Sequence, residues 1–205
     1  MSSGSFQMFG GAVSNSVIVL GLGLALMMVS PVVGHKGSIV DVTGFGARPN
    51  DPLTDNSQAF IRAWNAACKG SGSSVLLIPP GNYVSGEVFF QGPCRGPVTI
   101  NVQGTIQAVP DLSMYPNGAW FNIESVNGLV LKGGVFNGQG KSVRKYDDCK
   151  TNPKCDPLPA AFRFNKARNV NVQGVTVVNS MGPAASTTAS SNIRAINSVG
   201  FDLLH

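Results

Sequence analysis

The sequence predicts an all-β protein built as a parallel β-helix, and three observations support this fold class. Only 12% of its 205 residues are charged and 25 are glycine, a composition typical of many short strands joined by tight turns. Short segments alternate apolar and polar residues and then break at Gly104, Gly133 and Gly174. Repeats of about 30–40 residues without intervening helices indicate stacked coils, with a hairpin-joined β-sandwich as the alternative. The equivalent positions of successive coils are Val102, Leu131 and Val172.

The N-terminal region contains an apolar run, Val17–Val33, that has little besides aliphatic residues and glycine. Its length is marginal for a membrane span, and it resembles a signal-peptide core with cleavage before His35. We therefore predict a signal peptide over residues 1–34, followed by secretion with no stable membrane association. An uncleaved anchor is the alternative, because no Lys or Arg precedes Lys36.

The next segment predicts a strand, a loop and a helix. Ser38–Ala47 is a short strand that runs into a glycine turn, and Arg48–Thr54 contains two prolines and forms a loop. A helix follows, capped by Thr54 or Asp55, and is predicted to end near Lys69-Gly70. Helical spacing places one set of apolar residues on a single face, so that Trp64 is predicted to be a core residue. This face contains Ala59, Phe60, Ala63, Trp64 and Ala67.

Further strands are predicted at Val75–Ile78 and Val84–Phe90, on either side of a turn forced by two prolines and a glycine. Two longer segments, Phe121–Gly134 and Phe162–Val175, then repeat one pattern: an aromatic residue, an alternating strand, a polar turn and a glycine-ended strand. Between them, Gly138–Pro159 has the composition of a loop insertion. One coil cannot bury its own apolar face, so each repeat covers the one before it.

Four cysteines, Cys68, Cys94, Cys149 and Cys155, predict two disulfides in a secreted chain. Four cysteines permit three pairings, of which Cys68–Cys94 with Cys149–Cys155 is favoured because it closes two local loops. A zinc site is disfavoured, since no pair has CxxC spacing and the only two histidines, His35 and His205, lie far apart at the extremes.

Positive charge is concentrated in one part of the sequence. The net charge is +5, and nine basic residues lie between Lys132 and Arg168, against three acidic residues. Such a region attracts a polyanion, although ordinary solvated side chains around a loop give the same pattern. Nucleic acid is a poor candidate, because the chain has no zinc spacing, RNP-type motif or basic helix. The basic residues are Lys132, Lys141, Arg144, Lys145, Lys150, Lys154, Arg163, Lys166 and Arg168.

Long ordered motifs between Ile39 and Gly182 resemble the plant polygalacturonases of glycoside hydrolase family 28, most of all the exo-acting, pollen-type members. The motifs are DVTGFGARPNDPLTDNSQAFIRAWNAAC, VLLIPPGNYVSG, FFQGPC, GLVLKGGVFNGQG and FRFNKARNVNVQGVTVVNSMG. The resemblance implies a right-handed parallel β-helix, the pectin-lyase-like solenoid, with Asp55–Cys68 as an N-terminal capping helix. It also implies secretion to the cell wall and a monomer that hydrolyses α-1,4-galacturonan, the acidic backbone of pectin, by inverting acid/base catalysis.

The resemblance assigns catalysis to an Asn-Thr-Asp stretch and an Asp-Asp pair, assisted by a Gly-His-Gly histidine and an Arg-x-Lys stretch. These motifs are missing in their family context, so we predict no catalytic residue, no cofactor and no metal ligand in this sequence. Asp147-Asp148 lies in the insertion before the strand at Val170, whereas the family's pair follows that strand. We therefore interpret Asp147 and Asp148 as a solvated acidic pair.

The predicted organisation is a signal peptide (1–34), the N-terminal coils of a β-helix (35–182) and a divergent tail (183–205). Within the tail, Ser191–Val199 is a fragment of another strand. The sequence thus predicts a truncated polygalacturonase that is inactive as written. The alternative is a non-catalytic β-solenoid that binds acidic cell-wall polysaccharide.

Overall fold

Fifteen short strands form three parallel sheets in the part of the chain that the computed structural model describes, residues 37–149, 151–201 and the backbone of 203–204. Strands are numbered in chain order. Sheet A contains β1 Ser38–Asp41, β2 Ser74–Ile78, β5 Val98–Val102, β8 Asn127–Lys132, β11 Arg168–Gln173 and β14 Ser191–Ile196. Sheet B contains β3 Asn82–Ser85, β6 Thr105–Ala108, β9 Val135–Asn137 and β12 Thr176–Val178. Sheet C contains β4 Val88–Gln91, β7 Ala119–Glu124, β10 Ala160–Asn165, β13 Ala185–Thr188 and β15 Leu203–Leu204.

Each coil passes from sheet A to sheet B to sheet C and then returns to sheet A. Strands β2, β3 and β4 form one coil, and β5, β6 and β7 form the next. All strand pairings within the three sheets of the described residues are parallel. The predicted parallel β-helix is therefore confirmed, and a sandwich of hairpin-connected strands is excluded.

The register differs from the predicted alignment at one position. Leu131 pairs with Val172 as expected, but on its other side it pairs with Ile100 instead of Val102. The glycines that end the strands therefore do not mark equivalent positions in every coil. A shift of two residues leaves the same side chains facing inward, because the side-chain period of a strand is two.

The segment predicted as one strand, Val84–Phe90, is two strands with a corner between sheets B and C. Strand β3 ends at Ser85 and β4 begins at Val88. The backbone N–H of Gly86 donates a hydrogen bond to Asp55 Oδ1 at 3.0 Å, so this corner is tied to the residue that precedes the helix. The corner falls at Gly86-Glu87, where the prediction of one continuous strand disregarded a glycine.

Inward-facing aliphatic residues form a column along sheet A. Leu76, Ile100, Leu131 and Val172 occupy successive strands, and each is at most 2% exposed. Burying each of these side chains contributes about 1.5–3 kcal/mol to stability. Each coil thus covers the apolar side of its neighbour, as the repeated sequence pattern predicts.

Aromatic side chains form the corresponding column behind sheet C. The rings of Phe121 and Phe162 stack with centroids 5.4 Å apart, and Phe90 lies 6.1 Å from Phe121. Trp64 stacks on Phe90 at 4.7 Å and donates a hydrogen bond from Nε1 to the Gln91 carbonyl at 3.0 Å. The aromatic column therefore continues from the coils into the helix that caps them.

The capping helix α1, Ser57–Lys69, covers the end of the β-helix core at which β1 lies. All five residues of its predicted apolar face are buried, and Trp64 is a core residue as expected. Asp55 Oδ1 accepts a hydrogen bond from the Ser57 N–H at 2.9 Å and so satisfies one free donor of the first turn.

Both predicted disulfides are formed. Cys68–Cys94 joins the end of α1 to the segment after β4, and Cys149–Cys155 closes a small loop in the insertion. The signal peptide predicted over residues 1–34 lies outside the described residues and stays a prediction. Within the described ranges, the structure has no helix that is long and apolar enough to cross a membrane.

The coils continue past Gly182, the residue after which a divergent tail is predicted. Strand β13 pairs with β10, and β14 pairs with β11. Ala185 is fully buried, Ile193 packs against the core, and the ring of Phe201 lies 5.4 Å from that of Phe162. This segment keeps enough inward-facing apolar residues to extend the ladders despite its polar composition.

Candidate functional site

A groove of about 840 Å³ runs along the outer face of sheet C. One wall is the insertion between β9 and β10, which contains the short helix α2, Gly140–Val143, and a 3₁₀ turn, Arg144–Tyr146. The other wall is the segment between β6 and β7 with its 3₁₀ turn Leu112–Met114. Both walls are long connections from a strand of sheet B to the next strand of sheet C, whereas the β3–β4 and β12–β13 corners are shorter, and this difference creates the groove.

The floor of the groove includes two outward-facing residues of sheet C, Arg163 and Ser186. In β10 the buried Phe162 and Phe164 alternate with Arg163 and Asn165, which face outward. Two outward rows run across neighbouring strands at the registered positions. The first row is Phe89, Asn122, Arg163 and Ser186, and the second is Gln91, Glu124, Asn165 and Thr188.

Arg163 is the cation held in this floor. Its Nη1 donates to the Asn117 carbonyl, and its Nη2 donates to the Gly118 carbonyl at 3.1 Å. The side chain is partly exposed and also lines a neighbouring pocket of about 180 Å³ with Glu124. A guanidinium has five N–H donors, so two carbonyl contacts fix its plane and leave donors for an anionic group in the groove.

Glu87 holds the turn that supplies these carbonyls. Its Oε1 accepts from the Asn117 N–H at 3.2 Å and from Asn122 Nδ2 at 2.8 Å, while its Oε2 accepts from Asn117 Nδ2 at 2.8 Å. Asn122 is only 4% exposed, so its amide needs a partner inside the protein. Glu87 therefore positions Arg163 through Asn117.

Replacing Glu87 by glutamine is expected to lower the free energy of unfolding by about 1–3 kcal/mol, since an amide offers one acceptor oxygen where the carboxylate offered two. Urea unfolding measures this change. The control is Glu124→Gln, on the same sheet, because Glu124 accepts one long hydrogen bond from Asn165 at 3.3 Å. Equal stability of the two variants would show that the Glu87 contacts do not hold this turn.

The wall opposite the insertion contains one buried titratable side chain, Tyr115, which is uncharged. Tyr115 is 3% exposed, and its hydroxyl donates to the Val109 carbonyl at 2.6 Å. Burial raises the pKa of Tyr115 well above its ordinary value, with a further contribution from the charge of Asp55. The phenol stays protonated at physiological pH and serves the shape of this wall.

The basic stretch found in the sequence does not form one surface. Lys132 and Arg168 belong to strands of sheet A, whereas Arg163 faces the groove on sheet C. Only Lys154 and Arg163 among the described basic residues line the groove itself, with Lys145 next to the groove residue Tyr146. Nearness in sequence therefore overstated the positive charge available to one ligand.

Asp147 and Asp148 lie in the insertion and are exposed, which agrees with their interpretation as a solvated pair. Asp147 Oδ1 accepts from the Cys149 N–H at 3.3 Å, and Asp148 Oδ2 accepts from Asn152 Nδ2 at 2.7 Å. Asp148 also lines the groove, as does Asp156. Both groove carboxylates thus come from the same wall. The histidines, His35 and His205, lie outside the described residues.

One group of possible metal ligands occurs in the described part of the chain, Asp148 with Cys149 and Cys155. The two sulfur atoms are bonded to each other, so neither is a thiolate able to bind a metal ion. The chemistry of these donors does not fit a metal centre. The prediction that no metal is bound remains a prediction for the whole chain.

Sequence reasoning missed the arrangement around Arg163. The alternation of Phe162, Arg163 and Phe164 predicts that the arginine faces outward, and this signal was available. Its partner Asn117, however, precedes it by 46 residues, and Glu87 precedes Asn117 by another 30 residues. No local pattern connects these three residues.

The coils and the groove define a class, the parallel β-helix proteins with a polar groove on one sheet. Residues 68–199 match the model of the glycosyl hydrolases family 28, and the chain belongs to that family. It is 38% identical over 173 residues to an exopolygalacturonase of Arabidopsis thaliana (clone GBGE184), covering 83% of this chain and 39% of that protein. An exopolygalacturonase of Zea mays is 40% identical over 146 residues, 70% of this chain and 35% of the maize protein.

Solved structures show the same fold at lower identity. An exopolygalacturonase from Thermotoga maritima superposes with a TM-score of 0.62 at 22% identity, covering 80% of this chain and 46% of that one. The family 28 exopolygalacturonase of Yersinia enterocolitica gives 0.61 at 18% identity, covering 80% and 38%. The predicted right-handed parallel β-helix is confirmed. The chain spans less than half the length of these relatives.

Proposed function

We propose that this protein acts on the α-1,4-galacturonan backbone of pectin as a secreted, monomeric polygalacturonase of the cell wall, and that the described coils supply its sugar-binding groove. Family membership and the exopolygalacturonases of Arabidopsis and maize support the reaction class. The two disulfides support an oxidising, extracellular setting. An open groove along a sheet also suits a linear polymer.

The observation that carries the proposal is the position of Arg163. Its guanidinium lies in a polar floor and is fixed by two backbone carbonyls, so its orientation does not depend on the ligand. A galacturonate residue brings one carboxylate per sugar, and an arginine fork binds a carboxylate through two parallel hydrogen bonds. A neutral polysaccharide has no group that needs this arginine.

The described residues supply binding in this proposal and not the acid/base pair. Inverting hydrolysis requires one carboxyl group on each side of the sugar, about 6.5–9.5 Å apart. The two groove carboxylates of the described chain, Asp148 and Asp156, both lie on the insertion wall. We therefore infer that neither Asp147 nor Asp148 is catalytic, and that the described residues bind galacturonan without supplying the acid/base pair.

Calorimetric titration with an oligogalacturonate of about six residues tests the binding groove. Arg163→Gln is expected to weaken affinity about 10–100-fold, the loss of a charge-assisted hydrogen bond of about 1.5–3 kcal/mol. Arg168→Gln is the matched control, since it removes the same charge from an exposed position on sheet A. Urea unfolding of both variants separates lost binding from lost folding, and Arg163→Lys tests the fork against the charge alone.

Equal affinities of Arg163→Gln, Arg168→Gln and the parent would contradict the groove assignment, as would binding of a neutral oligogalactan as tight as that of the acid. Reducing-end release from polygalacturonic acid decides the catalytic part of the proposal. Release above a blank would show that the acid/base pair is present. Binding without release favours the second candidate, a non-catalytic module that binds acidic wall polysaccharide. The observation that supports this candidate is that both groove carboxylates, Asp148 and Asp156, lie on the same wall.

A further inference from the structure

Tyr146 is a large aromatic side chain that stands exposed in the insertion wall of the groove. It is 59% exposed and lines the groove at the end of the 3₁₀ turn Arg144–Tyr146. A single exposed apolar residue is ordinary at a protein surface, as Leu53 shows, which is 94% exposed in a loop. Tyr146 differs in its place within the candidate binding site and in its immediate neighbour.

The backbone that carries Tyr146 is anchored on both sides. Upstream, Val143 is fully buried, the Gly140 N–H donates to the Asn179 carbonyl at 2.7 Å, and the Lys141 N–H donates to Asn179 Oδ1 at 2.9 Å. Downstream, the Cys149–Cys155 disulfide closes the loop. The ring is therefore presented from a fixed support, which lowers the entropy that a ligand contact would cost.

The neighbour is Lys145, whose Nζ lies 4.9 Å from the centroid of the Tyr146 ring. The ammonium covers one face of the ring through a cation–π contact. The pair thus combines an aromatic face with a positive charge. The axial C–H face of a sugar packs on an aromatic ring, and the carboxylate of a uronic acid pairs with an ammonium.

We propose that Lys145 and Tyr146 together bind one uronate residue of the galacturonan chain and discriminate its free carboxylate from a methyl ester. This inference rests on the proposed function of the groove. The acidic residues of the same wall support the selectivity, because Asp148 and Asp156 repel a carboxylate placed elsewhere along it. Lys145, beside the groove residue Tyr146, and the groove-lining cations Lys154 and Arg163 then set the spacing of the sugar units.

Titrations with an oligogalacturonate and with its methyl ester test this pair. Tyr146→Ala is expected to weaken both ligands about fivefold or more, whereas Tyr146→Phe, which keeps the ring, retains the parent affinity. Lys145→Gln is expected to weaken only the acid, by about threefold to fivefold, and so to reduce the preference for acid over ester. Lys141→Gln removes the same charge from α2 and serves as the control.

The ring signal of Tyr146, assigned by comparison with Tyr146→Phe, is expected to shift when the oligogalacturonate is added in an NMR titration. Parent-like affinity of Tyr146→Ala, or an unchanged acid-to-ester preference in Lys145→Gln, would overturn the inference while the groove assignment stands. If the parent protein binds neither ligand, the proposed function fails and this inference fails with it.

Discussion

Replacing Phe90 by alanine is expected to lower the free energy of unfolding by about 3–5 kcal/mol, the cost of removing a large aromatic side chain from a packed core. Phe90 is 1% exposed, stacks on Trp64 of α1 and lies 6.1 Å from Phe121 in the next coil. Its ring is the contact through which the capping helix joins the aromatic column. Because domains are stable by only about 5–15 kcal/mol, this single change removes a large part of the total.

Phe89 provides the matched control one residue away. It lies on the same strand, β4, but faces outward into the row that contains Arg163, and it is partly exposed. Phe89→Ala removes the same atoms and is expected to cost about 1 kcal/mol or less. Urea unfolding followed by tryptophan fluorescence measures both variants. A Phe89→Ala variant as unstable as Phe90→Ala would mean that the inside and outside of sheet C are wrongly assigned.

The contrast between Phe89 and Phe90 also explains why the fold was predictable from the sequence. Every coil must bury one side of each strand, so apolar and polar residues alternate in each repeat. Parallel stacking of the coils then covers the apolar side. The exact register was less predictable. Ile100 and Val102 both face inward, and hydrophobicity alone does not decide which of them pairs with Leu131.

The groove was less predictable than the fold, because it depends on contacts between distant parts of the sequence. The basic stretch was conspicuous in sequence, yet the coil directs Lys132 and Arg168 to sheet A and Arg163 to sheet C. Conversely, Glu87 carries no local signal at all, and its role follows only from its three hydrogen bonds to Asn117 and Asn122. Sequence distance is uninformative in a solenoid, where neighbours in space belong to successive coils.

The insertion wall depends on one glycine, and Gly140→Ala is expected to cost about 3 kcal/mol, the upper end of the usual penalty for overpacking. A Cβ at Gly140 would lie 2.0 Å from the Ser180 carbonyl oxygen and 2.7 Å from its carbon, both backbone atoms that cannot rotate away. The start of α2 must therefore move, and the hydrogen bond from the Gly140 N–H to Asn179 is lost. Urea unfolding measures the cost to stability.

Limited trypsin digestion locates the effect, because the exposed Lys141, Arg144 and Lys145 follow directly in the insertion. Faster cleavage there than in the parent is expected, since the closed insertion holds these peptide bonds against the coils. Gly44→Ala is the control: its Cβ would meet no atom within 4 Å, so both stability and cleavage rate should match the parent. A Gly140→Ala variant that also matches the parent would show that the insertion tolerates displacement and that Tyr146 is not carried on a fixed support.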